Sequence, residues 1–112
     1  MKKLEVIIRP EKLEELKAAL NDIGIKGLTV STVMGCGNQK GRKEIYRGTV
    51  LNINLLNKIK VETVIRDEIL DEITKVITET VRTGVVGDGK IFVYNVENAI
   101  RIRTGEEGET AI

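Results

Sequence analysis

Residues 58–77, KIKVETVIRDEILDEITKVI, contain the two patterns that decide the fold of this chain. In the first half, apolar and polar residues alternate with a period of two, which predicts a half-buried strand over 58–66. Its buried side is predicted to carry Ile59, Val61, Thr63 and Ile65, opposite Lys58, Lys60 and Glu62. The spacing then becomes helical, and Asp67 is placed to cap the first turn. The predicted apolar stripe of the helix consists of Ile69, Leu70, Ile73, Val76 and Ile77.

The same order of strand and helix occurs upstream, at an offset of about 57 residues. Alternation predicts a strand over 3–9, and Pro10 begins a helical pattern that Gly24 stops. The positions that match in type are Ile8, Arg9, Glu11, Leu13, Glu15 and Leu16 against Ile65, Arg66, Glu68, Leu70, Glu72 and Ile73. β-branched residues predict a strand over 27–34, and further strands are expected over 91–96 and around 100–103.

Two β-α-β units of this size predict one α+β domain over residues 1–112, with the split β-α-β, or ferredoxin-like, topology. Both helices are then expected on one face of the sheet. The other face would also carry apolar residues, and copies of the same chain are the natural cover for them. The sequence therefore predicts a homo-oligomer.

Composition excludes several classes of function. Lys and Arg total 18 against 17 for Asp and Glu, and aromatic residues make up 3% of the chain, which argues against nucleic-acid binding. With no histidine and one cysteine, the chain lacks the ligands of a soft metal and the usual bases of nucleophilic catalysis. No apolar run approaches the roughly 20 residues of a membrane span. We expect a cytoplasmic protein that meets membranes only through a partner.

The connection over 36–57 is far longer than the usual connection of about 4 to 6 residues. Its first half, 37–48, holds three glycines and several cations without apolar periodicity. We expect residues 37–55 to form a long loop between strands 2 and 3 that is mobile without ligand. The alternative, that the second half prolongs the strand after it, stays open because that half is apolar at Val50, Leu51, Ile53, Leu55 and Leu56.

A glycine-rich segment, TGVVGDGK at 83–90, joins the second helix to the following strand. Glycines allow backbone N–H groups to approach a polyphosphate, and Lys90 adds a positive charge. An ordinary turn between a helix and a strand is the alternative. Arg101 and Arg103 would lie roughly 6 to 7 Å apart on one side of a short strand. If Lys90 joins them, the three cations predict a triphosphate, whereas separate solvated side chains are the alternative.

The order of several motifs resembles the PII nitrogen-regulatory proteins, over nearly the whole chain. The motifs are Arg9-Pro10, the glycines of 35–41 with Gln39, Tyr46-Arg47-Gly48, Thr-x-x-x-Gly-Asp-Gly-Lys-Ile-Phe at 83–92, and Arg101-Ile102-Arg103-Thr104-Gly105. The resemblance implies a homotrimer with ATP or ADP in clefts between subunits. It implies phosphate contacts for Gly87, Gly89, Lys90, Arg101 and Arg103, an adenine pocket at Thr29, Glu62 and Val64, and further nucleotide-binding positions at Asn38 and Asp88.

The resemblance also implies a site for 2-oxoglutarate that forms with Mg²⁺ and ATP. Gln39 would bind the metal and Lys58 a carboxylate of the ligand, and Gly37, Lys40, Gly41 and Gly87 would complete the site. A hard cation such as Mg²⁺ suits these oxygen ligands. Protein targets such as an ammonium channel or a nitrogen-metabolism enzyme would contact the loop at Tyr46, Arg47 and Leu51.

Two positions depart from the family pattern. Asn38 stands where many members have arginine, so we expect one phosphate contact to be lost, which leaves the preference between ATP and ADP open. Leu51 has no hydroxyl group, which makes uridylylation or adenylylation chemically impossible there. We expect a regulator controlled by its ligands and not an enzyme. The alternative is a small phosphohydrolase of the same topology.

Overall fold

Two successive strand–helix units build the chain. The computed structural model describes residues 1–36, 42–46, 49–53 and 55–112, with the backbone alone for 42–46 and 49–53. The first unit and its following strand are β1 (Lys2–Ile8), α1 (Leu13–Asp22) and β2 (Thr29–Gly35). Two short strands come next, β3 (Arg42–Tyr46) and β4 (Thr49–Ile53). The second unit consists of β5 (Leu56–Ile65), α2 (Leu70–Val81) and β6 (Lys90–Asn95).

The main sheet has four strands in the order β2-β5-β1-β6. All three pairings are antiparallel, and in the centre Val6 of β1 lies opposite Val61 of β5. This order is that of the split β-α-β topology, so the predicted α+β class is confirmed. The predicted strand around 100–103 is wrong, because residues 102–104 form a turn and Ile100 makes only an isolated bridge to Glu107.

The core lies between the two helices and one face of the sheet. Leu4, Val6 and Ile8 of β1 are buried there, together with the predicted face of β5, which is thereby confirmed. The internal repeat is visible in the packing, because each helix follows a short 3-10 turn, Pro10–Lys12 in the first unit and Asp67–Ile69 in the second. The buried helix positions are Leu16 and Leu20 in α1 and Ile73, Ile77 and Val81 in α2.

Asp67 does not cap the second helical segment as predicted. Arg66 occupies the position that precedes the 3-10 turn, and no side chain makes a capping hydrogen bond there. Because Asp67 is already inside the turn, its carboxylate points elsewhere and lies 3.0 Å from the amine of Met1. A hydrogen bond from that amine lowers the pKa of Asp67.

The connection between β2 and β5 contains regular structure where the sequence predicts a loop. β3 and β4 pair with each other as a separate antiparallel sheet, with Tyr46 opposite Thr49. No strand is predicted over 37–48, and the structure places β3 there over Arg42–Tyr46. Apolar periodicity misses this hairpin because its strands pair away from the main sheet. The alternative of a prolonged strand holds only for Leu56 and Asn57, which begin β5.

The face of the sheet opposite the helices carries alternating charges. Lys3 lies 2.9 Å from Glu62, and Lys60 lies 3.4 Å from Glu62 and 3.5 Å from Glu5. Tyr94 donates a 2.8 Å hydrogen bond to Glu5. We call these five residues the charge ladder. The apolar residues predicted for this face are present beside it, for example Phe92, which is 45% exposed. Among the described residues, no helix is long and apolar enough to cross a membrane.

Candidate functional site

The glycine-rich segment between α2 and β6 is a tight turn held against β1; we call residues 83–89 the glycine turn. Gly84, Gly87 and Gly89 have φ values of +85°, +103° and +106°, which side chains rarely tolerate. At Gly89 the turn touches β1 so closely that an added Cβ would lie 1.7 Å from the carbonyl oxygen of Ile7. The glycines predicted to allow a close backbone approach are therefore required by the turn itself.

The Asp88 carboxylate is the internal anchor of the glycine turn. It accepts hydrogen bonds from the backbone N–H groups of Thr83 and Gly84, both at 2.8 Å, and from the hydroxyl of Thr83. The Nε of Arg9 also donates to it, at 3.2 Å. These bonds, above all that from the Thr83 hydroxyl, hold the pKa of Asp88 far below its usual value. Asp88 is therefore an ionised acceptor with four donors around it.

Two cationic side chains bind carbonyl oxygens of the same turn. The Nη2 of Arg9 donates to Val86 at 2.9 Å and to Val85 at 3.4 Å. The Nζ of Lys58 donates to Gly87 at 2.7 Å. Lys58 is 8% exposed, and burial, followed by the positive charge of Arg9, lowers its pKa. The carbonyl oxygens of three successive residues are thus turned toward protein cations, and the backbone N–H groups of Thr83, Gly84 and Val85 are bonded within the turn.

Lys90 begins β6 directly after the turn. It lies opposite Ile7 of β1 and its side chain is exposed. Together with Asp88 and Gly89 it lines a cleft of about 240 Å³ that reaches the end of α2 at Arg82. An exposed ammonium beside glycine backbone is an arrangement that can receive an anion.

A second cleft lies toward the other end of β1. It has a volume of about 460 Å³, and it is lined by the three residues predicted for an adenine pocket, Thr29, Glu62 and Val64, together with Lys3 and Gly27. We call it the Glu62 cleft. Lys3 lies opposite Val64, and Ile7 lies opposite Lys90, so the two clefts are reached from positions four residues apart along β1. At roughly 3.3 Å per residue this distance is about 13 Å.

Glu62 enters its cleft as a fixed carboxylate. Hydrogen bonds from Lys3 and then Lys60 lower its pKa, and the bond to Glu62 raises that of Lys3. The floor of the cleft is also fixed, because the buried Thr63 hydroxyl donates a 2.7 Å hydrogen bond to the carbonyl of Gly27. The Glu62 cleft therefore holds one ionised carboxylate that is paired with two lysines and keeps acceptor sites beyond those two contacts.

Arg101 and Arg103 lie away from both clefts in the described part of this chain. Arg101 begins a turn closed by hydrogen bonds from Gly105 N to Arg101 O at 2.7 Å and from Arg101 N to Glu106 O at 2.8 Å. The guanidinium of Arg101 lies 3.5 Å from the Glu106 carboxylate, and Arg103 is exposed. The side-by-side placement on a strand is therefore wrong. Among the described residues, the cleft that Lys90 lines is lined by neither arginine.

Several predicted site residues lie outside the described residues or are described by backbone alone. Gly37, Asn38, Gln39, Lys40, Gly41 and Arg47 fall outside the described ranges, and the backbone of Tyr46 and Leu51 lies in β3 and β4. In the part of the chain that is described, no group of three His, Cys, Asp or Glu side chains is arranged to hold a metal ion.

The sequence reasoning missed Arg9, Thr83 and Lys3 as parts of these sites. Arg9 is separated from the turn it binds by 76 to 79 residues in sequence. The available signals were the Arg9-Pro10 motif and the position of Arg9 directly after the first strand.

The fold and its two clefts define a small α+β domain of the split β-α-β class that carries an inserted hairpin. The family model described as nitrogen regulatory protein P-II matches residues 1–106. Over 112 residues, which cover both chains fully, this chain is 54% identical to the nitrogen regulatory protein P-II of Haemophilus influenzae. With the same coverage it is 51% identical to that of Rhodospirillum rubrum and 49% identical to nitrogen regulatory protein P-II 1 of Escherichia coli. The chain therefore belongs to the nitrogen regulatory protein P-II family, as its motifs predict.

Proposed function

We propose that this chain is a nitrogen-regulatory signal transducer that binds ATP or ADP together with 2-oxoglutarate and controls a partner protein. The observation that carries this proposal is the glycine turn, whose carbonyl oxygens at Val85, Val86 and Gly87 are occupied by Arg9 and Lys58. The carbonyl oxygens that would repel an anion are paired with Arg9 and Lys58, and Gly89 and Lys90 beside them are exposed. This arrangement fits a phosphate group, and membership of the P-II family supports the choice of a nucleotide.

The nucleotide site is proposed to lie between subunits of a homotrimer. Gly87, Gly89 and Lys90 of one chain would hold the phosphates, and Arg101 and Arg103 of the neighbouring chain would complete the charge. In the described part of one chain neither arginine lines the cleft of Lys90, which supports a contribution from two chains. Thr29, Glu62 and Val64 would receive the adenine base, because the exocyclic amine of adenine is a donor suited to a cleft rich in acceptors. Asn38 would lie at the nucleotide without the positive charge, and without the phosphate contact, of an arginine.

The site for 2-oxoglutarate is proposed to form beside Lys58. Its ammonium lies 2.7 Å from the Gly87 carbonyl, so a carboxylate at Lys58 would also touch the glycine turn. Mg²⁺ would be held by Gln39 and by phosphate and keto-acid oxygens, and the backbone of Gly37, Lys40 and Gly41 would close the site. The metal supplies positive charge that links the two ligands.

Regulation would follow from a population shift of residues 37–55. Nucleotide and 2-oxoglutarate would select one arrangement by binding the base of this segment at Gln39. A partner such as an ammonium channel or a nitrogen-metabolism enzyme would then distinguish the arrangements through Tyr46, Arg47 and Leu51. On this proposal the protein works in the cytoplasm, binds no nucleic acid, reaches a membrane only through its partner and catalyses no reaction.

Titration calorimetry with ATP, with and without Mg²⁺ and 2-oxoglutarate, tests the proposal. We expect Lys90→Ala and Arg103→Ala each to weaken ATP binding by tenfold or more, since charge-assisted hydrogen bonds contribute about 1.5 to 3 kcal/mol. Lys75→Ala, an exposed change on α2, is the matched control and should bind like the parent. Parent-like affinity in both site variants would show that the phosphate assignment is wrong.

Mixing the two variants tests the placement between subunits. In a trimer that contains both chains, a shared site can receive Lys90 from one subunit and Arg103 from its neighbour, so mixed samples should recover part of the tight binding. Light scattering establishes the trimer in the same samples. Monomers, or mixtures that bind no better than either variant alone, would contradict shared sites. Sustained release of phosphate from ATP, faster than a few turnovers per minute, would favour the phosphohydrolase alternative.

A further inference from the structure

A polar cluster of Arg9, Asp88 and backbone groups joins the end of β1 to the glycine turn. Arg9 binds Asp88 through Nε and the carbonyls of Val85 and Val86 through Nη2. Asp88 in turn holds the backbone at Thr83 and Gly84. The guanidinium thus contacts the middle of the turn and, through one carboxylate, its beginning.

The negative charge of Asp88 indicates that its side chain has a structural role in this cluster. A carboxylate repels phosphate, so an aspartate inside a phosphate site is unfavourable unless a cation neutralises it. Arg9 lies 3.2 Å from Asp88 and supplies that charge. The carboxylate oxygens already accept two backbone N–H groups, one hydroxyl and one guanidinium. Little acceptor capacity remains for a ligand, which shows that the Asp88 side chain serves the turn itself.

We propose that Arg9 and Asp88 are positioning residues that hold the glycine turn in the shape that receives an anion, and that the Asp88 side chain is not a ligand contact. This inference rests on the proposed nucleotide function for its effect on binding. The clamp itself, defined as the contacts of Arg9 and Asp88 with residues 83–86, can be tested without any ligand. Planar guanidinium geometry matters here, because one side chain binds three acceptors.

The ligand-free test measures hydrogen exchange of backbone amides in the parent, Asp88→Asn and the matched control Asp22→Asn. Asp22 is an exposed residue at the end of α1. We expect exchange at Thr83 and Gly84 to be at least tenfold faster in Asp88→Asn, because their acceptor loses its charge. Amides of β1 and β5 should exchange at parental rates, which shows that the fold is intact. Parental rates at Thr83 and Gly84 would overturn the clamp whether or not ATP binds.

The ligand test uses ATP and asks whether the two residues act together. We expect Arg9→Gln and Asp88→Asn each to weaken ATP binding by tenfold or more. The double variant should bind ATP as tightly as the single variant with the lower affinity. Residues of one hydrogen-bonded unit are non-additive, whereas independent contacts add. In Asp88→Asn the ³¹P resonances of bound ATP should shift while its adenine proton resonances keep their parental positions, which general destabilisation would not produce.

The outcomes separate the inference from the function on which it rests. If the parent fails to bind ATP, the proposed function is wrong, and the exchange result alone decides whether the clamp exists. If the parent binds ATP and both single variants bind equally well, the positioning role is wrong while the nucleotide function stands. Additive losses in the double variant would show separate ligand contacts and would also overturn the inference.

Discussion

Substitution of Gly89 by alanine is the sharpest test of how the glycine turn meets β1. The new Cβ would lie 1.7 Å from the carbonyl oxygen and 2.8 Å from the carbonyl carbon of Ile7. An ordinary contact begins at about 3.4 Å, so the turn and the strand must separate by about 1.7 Å. Both groups that collide are backbone, and neither can rotate away as a flexible side chain would.

The expected loss of stability has two parts. Alanine at a φ of +106° costs about 1 to 3 kcal/mol in strain. Displacement of β1 adds roughly 1 to 3 kcal/mol, the usual cost of inserting a group into a packed site. Gly84→Ala is the matched control, because Gly84 also has a positive φ, +85°, but an added Cβ there meets nothing within 4 Å. We therefore expect Gly89→Ala to be about 2 kcal/mol less stable than Gly84→Ala.

Urea denaturation followed by far-ultraviolet circular dichroism measures the difference. All proteins are compared at one protomer concentration, because association changes apparent stability. The strain is similar in both variants, so the difference between them reports the collision with Ile7. Equal midpoints for Gly89→Ala and Gly84→Ala would refute the close approach of the turn to β1.

Three further predictions concern the core, the response to acid and covalent modification. Ile77→Ala empties a fully buried position on α2 and should lower the free energy of unfolding by about 2 to 5 kcal/mol in the same denaturation assay, well beyond the half-buried Val76→Ala. Hydrogen bonds hold the pKa of the Asp88 carboxyl below the ordinary 3.8, so the stability that the ionised carboxylate gives to the fold is complete above about pH 5 and is lost as the pH falls through the folded pKa. Urea midpoints measured from pH 5 to pH 2 should therefore drop less in Asp88→Asn than in the parent. Leu51 offers no hydroxyl, so incubation with UTP and a uridylyltransferase should leave the intact mass unchanged, and a nucleotidylated residue 51 in peptide mass spectra would contradict this.

The central sheet and the helices were predictable because their burial follows a simple period. In β5 every second residue from Ile59 to Ile65 faces the helices, so alternation in the sequence maps directly onto the structure. The helices show the same correspondence at Leu16 and Ile73, which are matched positions of the internal repeat. One-sided burial is the physical cause of both patterns.

The spacing of apolar residues gave a wrong prediction where the segment has no buried face. Ile100 and Ile102 alternate with arginines as in a strand, yet Ile102 is fully exposed at 100% and the segment closes as a turn. The hairpin of β3 and β4 was not predicted, because its strands pair with each other outside the main sheet. Both segments are defined by local backbone hydrogen bonds, which apolar spacing does not report.

In the candidate site, too, some features could be predicted from the sequence and others could not. Glycines at 84, 87 and 89 could be interpreted as a turn near an anion because their conformational freedom is a property of the residue type. The contacts of Arg9 and Lys58 with that turn could not be predicted from the sequence, since they join residues far apart in the chain. Asp88 was predicted as a ligand contact from its motif, and the structure gives its carboxylate four donors of its own.

The charge ladder has a consequence for whatever packs on the open face of the sheet. Two lysines and two glutamates lie within salt-bridge distance of one another, so their formal charges cancel locally. A surface that balances its own charge exerts little long-range attraction, and dissolved salt has little to screen. Packing of any second surface on this face should therefore depend only weakly on ionic strength.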